Sequence, residues 1–250
     1  VTAGTNAPAD APERIRILAA LSLPRLAFTD PLFLAMQLVQ MNIEVRKHSG
    51  AFWEQSLSHL LYAAVDEGFD YALTVDYDSV FRPIDVWHMI KMMQARPDVA
   101  AMFPVQYRRE SDEILLGVEG KQHLGVAAFA DQLVPATVGH FGLTLIRVSA
   151  LRALPHPWLR SEPNAEGKWG DGRIDADIAF WNKMRASGHK IACASRVVIG
   201  HLQQVITWPG EDYRREHQYV AEYFGDGDAP PSVIDAARAR AERSAEEFAA

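Results

Sequence analysis

Asp76-Tyr77-Asp78 closes the apolar run Tyr71-Ala72-Leu73-Thr74-Val75, so two carboxylates follow directly on a segment built to be buried. In an extended chain the side chains alternate faces, which turns Asp76 and Asp78 one way and Tyr77 the other, into the core. Carboxylates about 7 Å apart on one face suit a hard divalent cation, which takes oxygen ligands and shares them with substrate phosphates. The same residues also suit a plain turn, because Asp is common at strand ends. Far along the chain, His201 follows the apolar run Val197-Val198-Ile199 and Gly200. Its imidazole could be a packed strand-end residue or a further metal ligand, and its nitrogen would favour manganese over calcium. Asp175 and Asp177 open a helical stretch with Phe180-Trp181 on the next turn. Capping and the helix dipole account for acids there, and a carboxylate in that place can also serve as a general base towards a hydroxyl. Gly139-His140-Phe141-Gly142 is a bend, or a place where a ligand lies close to backbone.

These groups need elements that bring them together. Ile15 to Leu21 reads as a strand entering the loop Ser22-Leu23-Pro24-Arg25, and Asp30-Pro31 opens a helix running to Met41, with Asp30 as N-cap. Ile43 to Arg46 is a second strand, ending at His48-Ser49-Gly50. Phe52 to Glu67 has helical spacing and stops at Gly68. The third strand leads into Asp76, Asp85 to Ala95 is a helix, and Val99 to Val105 is a strand. The alternation predicts a mostly parallel sheet flanked by helices, an α/β Rossmann-like domain. Ligands of such sheets bind at the carboxyl ends of the strands, where Ser22, His48 and Asp76 fall. Gly142 precedes another strand, Leu143 to Val148, and Pro155 to Arg173 is a long loop of functional length carrying Trp158 and Trp169. Ile174 to Ser187 reads as helix and Ile191 to Ile199 as strand. Tyr213 to Phe224 and Ser232 to Ala250 read as two helices. The chain therefore divides into a flexible leader (1–12), one domain (13–207) and a C-terminal helical extension (208–250) through which copies could associate.

The 250 residues are 48% apolar, enough for a full core. A net charge of −7 argues against a nucleic-acid partner. No run approaches the roughly 18 apolar residues that span a bilayer, and no signal peptide is visible. The single cysteine, Cys193, lies in an apolar stretch and reads as a small core residue in a reducing, cytoplasmic setting.

Taken in order from Ile15 to His201, these pieces resemble the GT-A glycosyltransferases, in particular the bacterial and viral family 2-like group. The matching residues are Leu73-Thr74-Val75-Asp76-Tyr77-Asp78 as the Asp-x-Asp motif, Gly139 to Arg147, Asp177-Ile178-Ala179-Phe180-Trp181 as the acidic helix, and Gly200-His201. The resemblance implies a Mn2+ (or Mg2+) ion with Asp76, Asp78 and His201 as its protein side, Asp78 binding directly, His201 as the third ligand, and Asp76 reaching the ribose or, through the diphosphate, the metal. It implies a nucleoside-diphosphate sugar donor, UDP in preference to GDP. Ser22, Leu23, Arg25 and His48 would border its base and ribose, Gln55 would add a polar contact, and Asp76 and Tyr77 belong with the same donor-side group. Gln106, Tyr107, Gly142 and Trp169 would face the sugar and a glycan, lipid-linked or protein acceptor. Asp177 would deprotonate the acceptor in an inverting transfer, with Asp175 as the alternative carboxylate. The family's Glu-Asp pair is Ala176-Asp177 here, and its Arg-Asn pair is replaced by Trp53-Glu54-Gln55-Ser56, which leaves the base and the phosphate contacts open. Rival classes are a haloacid-dehalogenase-like phosphohydrolase, a nucleotidyltransferase and a non-catalytic sugar-nucleotide or glycan-binding module.

Overall fold

A computed structural model describes residues 14–249 except 112, 120–128, 130 and 131. The leader expected at 1–12 lies outside the described residues.

The chain forms two compact units, one of residues up to Tyr107 with Ile114–His201, the other of Arg108–Glu113 with Leu202–Ala250. The first unit is a three-layer α/β domain. Its strands are β1 (Ile17–Leu23), β2 (Glu44–Ser49), β3 (Tyr71–Asp76), a short β4 (Ser79–Val80), β5 (Val99–Val105), β6 (Leu133–Ala136), β7 (Leu143–Arg147), β8 (Lys190–Val198) and a short β9 (Gly200–His201). Seven of them make one sheet in the order β2-β1-β3-β7-β5-β8-β6. The helices are α1 (Thr29–Gln37), α2 (Trp53–Asp66), α3 (Pro83–Ala95), α4 (Val148–Ala153) and α5 (Ala176–Ala186).

The sheet is mixed rather than mostly parallel. Strands β1, β2, β3, β5 and β8 run one way, while β7 and β6 run against their neighbours. The βα alternation misleads because β3 does not pair with β5. The Leu143–Ile146 run is buried on both faces and enters between them. Alternation along β1 sends Leu18 and Ala20 to one core, and Ile17, Ala19, Leu21 and Leu23 to the other. Residues of α2, α4 and α5 complete the first core, and residues of α1 and α3 the second. Cys193 lies inside the first, where burial pushes its thiol up to about 12, the behaviour of a packing residue rather than a nucleophile.

Helix α1 begins at Thr29, with Phe28 rather than Asp30 as its N-cap, and passes through a 3-10 turn (Leu38–Met41). In the second unit, the stretch expected as a helix from Tyr213 is strand in its first half and helix in its second. Val205–Pro209 (β10) and Arg215–Tyr219 (β11) pair as an antiparallel hairpin, followed by α6 (Val220–Asp226) and α7 (Pro231–Ala249). The β-branched and aromatic residues Val205, Ile206, Thr207 and Trp208 signal the strand, and its partner only makes sense beside it. The Trp208 indole donates to Gln218 across the hairpin (3.0 Å), and Arg240 of α7 donates to the Gly210 carbonyl (2.8 Å). Among the described residues no helix is long and apolar enough to cross a membrane.

Strands β3 and β7 are cross-linked by a buried pair, Thr74 opposite Thr144. Thr74 Oγ1 donates to the Phe141 carbonyl (2.8 Å) and accepts from the Thr144 N–H (3.2 Å), which holds the 140–142 loop against the end of β3. Thr74→Val keeps the shape but orphans two buried groups. It should cost about 1–3 kcal/mol in urea unfolding; an unchanged midpoint contradicts this account.

Candidate active site

Ser22, His48 and Asp76 stand side by side, since Ser22 is in register with His48 on β2 and with Asp76 on β3. The carboxyl ends of three adjacent strands therefore form one rim. Asp76 Oδ1 accepts from the Trp53 indole (3.2 Å), at the start of α2, and from Ser22 Oγ (3.4 Å). Burial pushes the Asp76 carboxyl up to about 6. The Trp53 bond opposes the rise, neighbouring Asp78 adds to it, and Ser22 and His201 pull it down.

The alternation expected for the acidic pair ends at Asp76. The chain turns through Tyr77 and Asp78 before β4, so the two carboxylates do not sit as i and i+2 on one strand face. Tyr77 packs against the second core without being fully buried in it. Its ring lies half-buried against Phe28 at the margin, with centroids 6.0 Å apart. Strand β4 pairs antiparallel with β9, Ser79 opposite His201, and this two-stranded ribbon closes a sequence gap of more than a hundred residues. It places His201 Nε2 3.3 Å from Asp78 Oδ2; the Asp78 side chain is 2% exposed and that of His201 14%.

The second ring nitrogen of His201 decides what this pair can do. Nδ1 lies 2.9 Å from the Tyr107 carbonyl, which only accepts, so Nδ1 carries the hydrogen. In the neutral ring Nε2 is then a lone pair directed at a carboxylate oxygen, an arrangement that calls for a proton or a cation between them. Their spacing is also that of two adjacent ligands about 2.1 Å from one ion. The donor set, one oxygen anion and one imidazole, fits manganese better than calcium. Among the described residues, no group of three or more His, Cys, Asp and Glu side chains is arranged to hold a metal. The expected protein triad is thus not assembled: Asp78 and His201 lie together, while Asp76 is engaged by Trp53 and Ser22.

The remaining sequence candidates separate into those at the rim and those away from it. Leu23 is buried below the rim, while Arg25 and Gln55 are exposed, Gln55 on the first turn of α2. His48 packs its ring 4.4 Å from that of His59. Gln106 is buried and donates to Ser79 Oγ (3.3 Å) and the Gly200 carbonyl (3.2 Å), so it braces the ribbon instead of facing a sugar. Gly142 N–H donates to His140 Nδ1 (3.2 Å) and its carbonyl accepts from Asp76 N–H (3.1 Å). Tyr107 and Trp169 are exposed, Trp169 at the tip of the loop before α5. That loop is closed by a bridge between Glu162 and Ile174 and organised by Asn164, whose side-chain oxygen accepts from the N–H groups of Glu166 and Lys168.

Asp175 is the N-cap residue of α5, exposed and ion-paired to Arg173 (2.9 Å). Asp177 lies in the first turn, half-buried, and accepts from the Ile178 N–H (2.8 Å). Burial raises its pKa, the Ile178 bond opposes this, and Asp175 adds to it. Phe180 and Trp181, three and four residues on, share its helix face. Both pack on Phe141, at 5.1 Å each, and Phe141 meets the Trp53 ring edge-on at 5.3 Å. An aromatic floor thus links the start of α5 to the residue that grips Asp76. Trp53 was missed as a site residue because its indole resembles core; only the polar Nε1 gave a hint.

No protein-family model matches the chain, and no curated protein matches it. Among solved structures it is similar to A197 from STIV, with a TM-score of 0.55 at 15% identity over 82% of this chain and 94% of that one. At that identity the likeness is one of fold. Matches also include a mannosyltransferase from Pyrobaculum calidifontis in complex with GDP-Man and Mn2+ (TM-score 0.48, 12% identity, 91% of this chain, 69% of that one). Another is glucosyl-3-phosphoglycerate synthase from Mycobacterium tuberculosis with Mn2+, UDP and phosphoglyceric acid (TM-score 0.42, 10% identity, 83% and 88%).

His140 is the buried partner of this site. Nδ1 accepts from Gly142, so Nε2 carries the hydrogen donated to the Pro104 carbonyl (2.8 Å), and the ring is neutral. Burial pushes it down to about 4, opposed by the Pro104 bond and assisted by His201. An unfolded imidazole takes up its proton below about 6.5. Between those values the unfolded chain holds more protons, so the His140 contribution, complete above pH 6.5, is lost as pH falls towards 4. The stability advantage of the parent over His140→Gln should shrink across that window by up to about 3 kcal/mol. Taking the difference cancels the opposite slope of Asp76. A pH-independent difference in urea unfolding contradicts the assignment.

Proposed function

We propose that this chain is a metal-dependent glycosyltransferase of the GT-A type. It takes the sugar from a nucleoside-diphosphate sugar, UDP in preference to GDP, and passes it to an acceptor hydroxyl. The observation that carries the reading is the Asp78–His201 pair, in which His201 Nε2 lies 3.3 Å from a carboxylate oxygen beside the rim of strand ends. Asp78 and His201 would hold a divalent cation, and the donor diphosphate would supply the further oxygen ligands, which suits a site with only two protein ligands. Such an ion, when bound, neutralises the charge developing on the departing diphosphate. Asp76, fixed by Trp53 and Ser22, would meet the ribose side of the donor, with Ser22 and His48 bordering the base.

Asp177 is the base in this proposal. Its half-buried carboxyl has a raised pKa, which strengthens its basicity at neutral pH, and it lies on the α5 face that packs on the aromatic floor. As the acceptor oxygen bonds to the sugar carbon and the diphosphate oxygen leaves, the hydroxyl proton passes to Asp177, with inversion. Asp175 is the weaker candidate, because Arg173 already neutralises it at the surface.

Thermal melting with UDP-sugars and GDP-sugars, with and without Mn2+, tests the donor class. A ligand at a hundred times its Kd should add about 2.7 kcal/mol of stability. Manganese-dependent release of UDP or GDP is expected from the parent, with loss of that release in Asp78→Ala. Asp177→Asn should bind donor normally and transfer at least about a hundredfold more slowly. Release of inorganic phosphate would indicate a phosphohydrolase, pyrophosphate a nucleotidyltransferase, and donor binding without turnover a binding module. Each of these contradicts the proposal.

A further inference from the structure

The Asp78–His201 pair rides on a ribbon of only two residues per strand, with β4 and β9 paired through Ser79–His201 and Val80–Gly200. So short a ribbon has too few hydrogen bonds to hold a ligand geometry by itself. One side chain from another element crosses it. Gln106, which immediately follows β5 and is 2% exposed, donates from the same Nε2 to Ser79 Oγ on one strand and the Gly200 carbonyl on the other. Ser79 is next to Asp78, and Gly200 is next to His201. On its far side Gln106 is pressed against Gly142: a Cβ there would lie 2.4 Å from Gln106 Oε1 and 2.8 Å from Ser79 Oγ. Residue 142 is glycine because this amide fills the space a side chain would need. The backbone of the next residue, Tyr107, accepts the His201 Nδ1 hydrogen.

We propose that Gln106 is a positioning residue that locks both strands of the ribbon to the end of β5 and thereby sets the spacing of Asp78 and His201. The inference rests on the metal reading above. It removes Gln106 from the sugar-contacting residues and gives it the role of an outer partner of a metal site, whose loss typically costs 10–100-fold in metal affinity.

The test measures Mn2+ affinity by the EPR signal of free Mn2+, with UDP present and with GDP in parallel, and metal-free UDP binding and melting temperature alongside. Gln106→Ala should weaken Mn2+ binding by about tenfold or more while leaving metal-free UDP binding within about twofold. Gly142→Ala, which drives a methyl into the same amide, should weaken Mn2+ similarly. The double variant should be no weaker than the worse single one, because loss of the amide removes the closer contact of the new methyl and leaves only that with Ser79 Oγ. Should Gln106→Ala fail to fold, Gln106→Met, of similar volume but with no donor, carries the same expectation. Asp78→Ala separates the two levels of the argument. If it leaves Mn2+ affinity unchanged, the metal reading falls. If it abolishes binding while Gln106→Ala or Gln106→Met keeps parental affinity, the positioning role alone falls. Equal weakening of Mn2+ and metal-free UDP binding, or additive losses in the double variant, would also overturn it, since a merely structural role behaves that way.

Discussion

A single hydrogen bond governs the chemistry available to this site, the one His201 Nδ1 donates to the Tyr107 carbonyl. It fixes the tautomer, and the tautomer turns the Nε2 lone pair onto Asp78. Without it the imidazole could donate to the carboxylate from Nε2 and form an ordinary neutral contact. With it, Nε2 faces the carboxylate at 3.3 Å in a nearly dry environment, where their interaction is poorly screened. A shared proton or a shared cation bridges a pair of this geometry.

The end of β5 makes this possible. The Pro104 carbonyl takes the His140 hydrogen, the Val105 carbonyl accepts from Ile199, the Gln106 side chain spans the ribbon, and the Tyr107 carbonyl orients His201. Four successive residues thus satisfy polar groups arriving from the 140–142 loop and from the chain leaving β8. The β7 strand, inserted antiparallel between β3 and β5, brings that loop within reach of both. Beneath it the rings of Trp53, Phe141, Phe180 and Trp181 form a rigid apolar floor that carries the geometry from α2 to α5.

Much of the first hundred residues was legible. Strands buried on both faces, such as Ile17–Leu23 and Tyr71–Asp76, read as largely apolar runs, although the first extends through Ser22 and Leu23, expected as loop. The position of β7 was not legible, because a local βα pattern says nothing about which strand enters between two others. The first half of the helix expected from Tyr213 proved strand for a similar reason, since pairing with Val205–Pro209 outweighs local preference. Within the site, Asp78 and His201 stood out by residue type and place, but the turn at Tyr77 hid their true relation. Gln106 and His140 could be named from the sequence but not understood. Their roles arise from carbonyls and glycines contributed by distant segments, which residue identity does not encode.

The account stands or falls on whether His201 and Asp78 share a divalent ion. Electron spin-echo modulation of Mn2+ bound to the protein in the presence of UDP reads this directly, because a coordinated imidazole nitrogen modulates the echo. The account predicts nitrogen modulation in the parent protein and its loss in His201→Gln. A parent spectrum without nitrogen modulation, or one that His201→Gln leaves unaltered, would contradict it.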